Sequence, residues 1–213
     1  MSEAAVMTRR SARKPKGDGH LRRVEILEAA ERIFVAEGYE GATIRKIADE
    51  VGVSSTALYM HFKDKSCILH EICERTTQQL LDRNTEIAGR NADAAVRLRA
   101  MLEAYMRWGF EHPNAYLLVF GGGGALSAMQ QSRTTELGAK CYEIFSGVIG
   151  EIAAAGRLRM GSTECATQTL WAACHGMVAL VVSRPDVNWC DREELIALTL
   201  DGLLGGLVTS SPS

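Results

Sequence analysis

Regular alternation of apolar and polar residues is missing from this chain, and with it any ground for a β-sheet. Proline is scarce, with four in 213 residues, so little stands in the way of long helices. None of the six cysteines forms a CxxC pair, which removes the paired-cysteine zinc and thioredoxin-like redox patterns. The N-terminus has no apolar signal core. The most apolar stretches, 170–182 and 195–208, are short or interrupted by His175, Asp201 and glycines, so neither reads as a membrane span. A cytoplasmic protein with reduced, buried thiols is the expectation. There is no G-x-S-x-G nucleophile elbow. The four glycines at 121–124 lack the Gly-Lys-Ser/Thr continuation of a phosphate cradle and read as a loop. No catalytic residue, cofactor or enzyme activity is expected. Excess charge is absent too: the net is −2, which argues against a uniformly basic polyanion binder.

What charge there is falls unevenly. Residues 1–23 hold Arg9, Arg10, Arg13, Lys14, Lys16, Arg22 and Arg23 against Glu3 and Asp18. Residues 1–20 read as a disordered basic arm, which either touches phosphates and the minor groove or is a solvated tail. An amphipathic helix over 21–37 follows, with Val24, Leu27, Ala30, Ile33 and Phe34 on one stripe and Gly38 at its end.

The densest punctuation lies between Thr43 and Lys65. Thr43 is a good N-cap for a short helix with Ile44, Ile47, Ala48 and Val51 on one face. Gly52 suits the left-handed position that ends it. Ser54 caps a second helix through about Phe62. Two short helices joined by a three- or four-residue turn with glycine form a helix-turn-helix. The second helix is small and polar outside, which lets it lie close to base edges in a major groove.

The residues Thr43, Ile47, Ala48, Gly52, Val53, Ser54, Leu58, Tyr59, Phe62 and Lys65, approached through Ala30, Phe34, Gly38 and Tyr39, resemble the TetR family of bacterial transcriptional regulators. Ser55, Thr56 and Ser66 depart from the common pattern. Double-stranded DNA is then the expected partner. Thr43, Tyr59, His61 and Lys65 are the expected phosphate contacts, and Arg45, Ser55, Thr56 and Ala57 are expected to face bases. Ser54 and Lys63 complete the expected DNA-binding set. Phe62 is expected in the core and Tyr59 outside it. Cys67, His70 and Cys73 step by three along a helix and diverge by about 120°, so no metal site is expected.

The remainder reads as helical: an all-α fold of about nine helices, with a helix-turn-helix domain over 21–66 and a ligand-binding and dimerisation domain over 67–208. Asp64 caps a helix over 65–88, the expected lever between the two. Further helices are expected from Ala94 to near His112, from Pro113 to Phe120, from a Ser127 cap to about Ala155, over 163–183, and from an Asp191 capping box to about Val208. The segment Trp171–Gly176 looks like the Trp-His-Gly signature of one TetR subgroup. Tyr105, Trp108, His112, Tyr116, Phe120, Trp171 and His175 are the candidate pocket for a hydrophobic or aromatic effector. Core packing is the competing reading for both tryptophans, and a hydrogen-bonded core histidine for His175. The resemblance implies a homodimer through helices 163–183 and 191–208, an inverted-repeat operator, and repression released by the ligand. An activator or a ligandless repressor of the same fold is the alternative.

Overall fold

The computed structural model describes residues 19–120, 133–159 and 161–209. Among them it has nine helices and no strand, only an isolated antiparallel bridge between Leu158 and Val208. The helices are α1 Gly19–Gly41, α2 Ile44–Val51, α3 Ser55–Tyr59, α4 Lys65–Ala88 and α5 Ala94–Glu111, then α6 Pro113–Phe120, α7 Arg133–Ala154, α8 Thr163–Ser183 and α9 Arg192–Leu207. Of the expected arm, Gly19 and His20 open α1, and residues 1–18 lie outside the described residues. The glycine loop at 121–124 and the Ser127 cap lie outside them too.

The caps set the helix boundaries. Thr43 Oγ1 accepts from Lys46 N–H at 3.2 Å, and Ser54 Oγ from Ala57 N–H at 3.1 Å. Gly52 takes φ 73°, which costs glycine no steric strain. Asp64 Oδ1 accepts from the Ser66 hydroxyl at 2.6 Å and from Cys67 N–H at 2.9 Å. Those donors hold its carboxyl at about 2. α3 is shorter than expected, ending at Tyr59 rather than near Phe62. Phe62 has to turn into the core, and Asp64 has to become extended (φ −159°, ψ 176°) to cap α4.

Two apolar cores result. The N-terminal one gathers Phe34 of α1, Ile47 and Ala48 of α2, Leu58 of α3 and Phe62. It also takes Ile68, Leu69, Ile72 and Cys73 from α4 and Leu118 from α6. The expected border at 66/67 is therefore not a packing border: three helices alone bury too little, and α4 and α6 supply the remainder. The C-terminal core is built by α5 against α7, α8 and α9, with Leu98, Met101, Phe145, Leu170 and Val178 at its centre. At the α5–α8 crossing a Cβ on Gly109 would stand 2.4 Å from Val178 Cγ1, so only glycine fits.

α8 departs from expectation. It is long and apolar enough, by length and composition, to cross a bilayer, with mean hydropathy 1.4 over its best window. Only 33% of that window is buried within the chain. The buried residues, including Ala166, Leu170, Cys174 and Val178, face α5 and α7, and the opposite side is left open. The cysteines also differ from a uniformly buried set. All six are free thiols; Cys73, Cys141 and Cys174 are buried, whereas Cys165 and Cys190 are exposed. Burial pushes Cys73 and Cys174 up to about 12 and Cys141 up to about 11.

Candidate functional site

The outer face of α2 and α3 is a polar surface braced from behind. Leu58 and Phe62 point inward, while Tyr59 stands 55% exposed. Arg45 is open to solvent, with only a loose 3.8 Å approach to Asp49. Thr43, Ser54, Thr56 and Lys63 are exposed, and Ser55, Ala57 and His61 are half-buried on the same stretch. The sequence reading missed Met60, which is 84% exposed at the C-terminal end of α3. Its position four residues after Thr56 was the one available signal.

Lys65 is the exception in the expected set. Its ammonium donates to the Tyr39 carbonyl at 2.8 Å and to that of Ala42 at 3.4 Å, and lies 4.3 Å from the Tyr39 ring centre. It ties α4 to the end of α1 and does not reach out from the reading face. Those carbonyls lie at and just past the C-terminal end of α1, where the helix supplies no further N–H to meet them. Arg23 provides a second brace. Its guanidinium pairs with Glu71, donates to the His61 carbonyl at 2.8 Å and stacks 4.2 Å over Phe62. The turn after α3 is thus tied to both α1 and α4.

A cavity of about 330 Å³ lies in the C-terminal half, between α4, α5, α6, α7 and α8. Four of the expected aromatics line it: Tyr105, Trp108, Phe120 and Trp171. Three do not. His112 caps α5 on the exposed surface beside Trp108. Tyr116 and His175 lie behind the wall, engaged with each other. The Tyr116 hydroxyl is 2.6 Å from His175 Nδ1 and 3.1 Å from its carbonyl oxygen, and the Tyr105 hydroxyl is 3.0 Å from the same nitrogen. Burial lowers the His175 pKa and favours the neutral ring. Burial also raises Tyr116 to about 12 and Tyr105 beyond that. These three groups form a neutral hydrogen-bonded cluster that fixes Tyr105, with His175 half-buried in it.

Sequence reasoning missed the α4 and α7 walls. Thr77, Leu80 and Asn84 recur at three- and four-residue steps on one face of α4, and Thr134, Cys141 and Phe145 face them from α7. The legible signal was polar residues inside an apolar stripe. Two of the lining residues each carry a buried polar atom without a hydrogen bond, Asn84 Oδ1 and Trp108 Nε1. Among the described residues, no group of three or more His, Cys, Asp or Glu is placed to hold a metal.

The open sides of α8 and α9 carry Trp171 at 44% exposure, Leu180, and Leu198 at 66%. Gly202, Gly205 and Gly206 lie along α9 with nothing within 4 Å of an added Cβ.

A helix-turn-helix on a helical domain with an apolar cavity defines a two-part, all-α regulator-like architecture. Residues 26–72 match the family described as bacterial regulatory proteins, tetR family, and residues 98–203 match the tetracyclin repressor-like C-terminal domain. The chain belongs to the TetR family. It is similar to the HTH-type transcriptional activator FasR of Mycolicibacterium smegmatis, 33% identical over 112 residues, 53% of this chain and 50% of that protein. It is also similar to the HTH-type transcriptional repressor AcnR of Corynebacterium diphtheriae, 53% identical over 45 residues, 21% of this chain and 24% of that protein. The matches thus span half of FasR's length and a quarter of AcnR's. In fold it resembles the ketosteroid transcriptional regulator KstR2 of Mycobacterium tuberculosis, with TM-score 0.76 and 22% identity over 89% of this chain and 96% of that one.

Proposed function

We propose that this chain is a DNA-binding transcriptional repressor, acting in the cytoplasm as a homodimer on an inverted-repeat operator and released by a small molecule in the cavity. The observation that carries the reading is the α2–turn–α3 face, where Arg45, Thr56 and Tyr59 stand clear of a core that fixes their backbone. Thr43, Tyr59, His61 and Lys63 hold phosphates, while Arg45, Ser55 and Thr56 meet base edges beside Ala57. Ser54 positions α3 by capping it, and Lys65 braces α4. The open faces of α8 and α9 pair across a two-fold axis and set the two α3 helices about 34–36 Å apart, one DNA turn. Ligand binding favours a conformation with another spacing, to the extent of its differential affinity for the two states. α4 runs from the reading unit to the cavity wall and serves as the lever. The chain is a binding protein, not an enzyme.

An activator of the same fold is the second reading, favoured by the name that FasR carries. The test is a gel-shift assay on the DNA flanking the gene, at rising salt. The expected result is a specific complex on an inverted repeat that weakens steeply with salt. Absence of any such complex overturns the reading. Transcription from the bound promoter in a deletion strain then separates repressor from activator by its sign.

A further inference from the structure

Met60 is the most exposed large apolar side chain among the described residues, and it belongs to neither core. It closes α3 with helical dihedrals, φ −69° and ψ −19°. At about 100° per residue, Thr56 and Met60 each lie roughly 160° around the helix from Leu58, which is fully buried. The two therefore form the ridge of α3 that points most directly away from the core, with exposed Tyr59 on its flank. The backbone beneath that ridge is fixed. Ser54 caps α3, the His61 carbonyl accepts from Arg23, and Leu58 and Phe62 anchor the turn from inside. Thr56 and Met60 are about 6 Å apart along the axis, so a surface that meets one lies within reach of the other. Their chemistry differs. Thr56 can donate and accept hydrogen bonds, whereas a thioether has no donor and only a weak acceptor. Phosphate oxygens, which only accept, gain nothing from it. On the floor of the major groove the one apolar group is the C5-methyl of thymine. A flexible methionine can settle on such a methyl group.

We propose that Met60 packs on the C5-methyl of a thymine in each half-site and makes that base pair part of what the protein recognises. Arg45 and Thr56 discriminate by hydrogen bonding; Met60 adds a contact that depends on apolar area alone. The inference rests on the reading of α3 as the helix that enters the major groove.

The test uses the full-length protein and the inverted-repeat fragment that the gel shift defines. Each thymine is replaced in turn by deoxyuridine, which removes the methyl group and keeps every hydrogen-bonding group of the base. Fluorescence anisotropy reads the affinity. At one thymine position the replacement should weaken wild-type binding about fourfold in a single half-site, and about tenfold or more in both. Met60→Ala should keep the wild-type thermal midpoint and bind the thymine fragment with at least the same loss. Deoxyuridine at that position should cost the variant nothing further, while its response at the remaining thymines matches the wild type. A wild-type complex indifferent to deoxyuridine at every position overturns the proposal and leaves α3 as the reading helix. So does a methyl effect that Met60→Ala retains in full at every position, or a variant whose midpoint falls, which places Met60 in the fold instead. A wild-type protein that forms no specific complex overturns the reading of α3 itself, and the thymine contact with it.

Discussion

At the scale of single residues, the same side-chain chemistry is assigned opposite tasks by a few ångströms of placement. Tyr59 and Phe62 are three residues apart; one is exposed and the other is buried under the Arg23 guanidinium. Removing the Tyr59 ring should therefore leave the core intact. Tyr59→Ala is expected to keep the wild-type thermal midpoint while operator affinity falls about tenfold or more, the loss of one hydrogen bond to a charged phosphate. Calorimetry and fluorescence anisotropy with labelled DNA read the two effects separately. Gly109 tests the opposite case. A methyl group there meets Val178 at 2.4 Å and Tyr116 Cδ2 at 3.1 Å, and Val178 is fully buried. Gly109→Ala should destabilise by about 1–3 kcal/mol in urea unfolding, through overpacking.

At the scale of elements, α4 and α6 are the two that belong to both cores. α4 gives Ile68, Leu69, Ile72 and Cys73 to the N-terminal core and Leu80 and Ile87 to the C-terminal one, about 36 Å of helix from end to end. α6 gives Leu118 to the first core and Tyr116 to the second, and it lines the cavity through Phe120. Its N-terminal end meets α1 at Glu31. Burial raises that carboxyl above its ordinary value, with His112 and the Ala115 N–H acting in the opposite sense. α4 and α6 are thus two elements that touch both the cavity and the reading unit. The start of α4 depends on Asp64. Its folded-state carboxyl lies at about 2 against an ordinary 3.8, so the cap contributes fully above the unfolded value and is lost as pH falls from about 4 toward 2. Asp64→Ala should cost about 1 kcal/mol at neutral pH. It should also flatten the acid limb in that window, as read by denaturant midpoints across a pH series.

At the scale of the whole molecule, α8 and α9 leave apolar surface uncovered in the C-terminal half. Leu180 and Leu198 stand out from α8 and α9, and the α9 glycines leave room for a helix to approach closely. Leu198→Arg adds a charge to that face without touching either core. Sedimentation should show a monomer at concentrations where the wild type is a dimer. Affinity for a two-half-site operator should fall at least tenfold, since each half-site is then bound alone. A variant that stays dimeric places the subunit contact elsewhere.

Local chemistry explains what could be read from the residues in order. Caps, Pro113 and the glycine at position 52 act within a turn of their own position, so α4 over 65–88 and α6 over 113–120 were legible to the residue. The inward course of Phe62 followed from its place in a small helical unit. Side-chain direction in the assembled molecule was not legible in this way. Lys65 turns inward because carbonyls at the end of α1, far back in the chain, stand beside it. Tyr116 and His175 leave the cavity wall because they satisfy each other. Asn84 becomes an orphan because α5 and α7 close over it and shut out water, which no window of sequence around residue 84 contains. Sequence alone determined the helix boundaries that Thr43, Gly52, Ser54, Asp64 and Pro113 mark, since those rules are short-ranged. The tertiary structure decided which faces meet, and therefore which polar atoms are left wanting a partner, because burial is shared among segments distant in the chain.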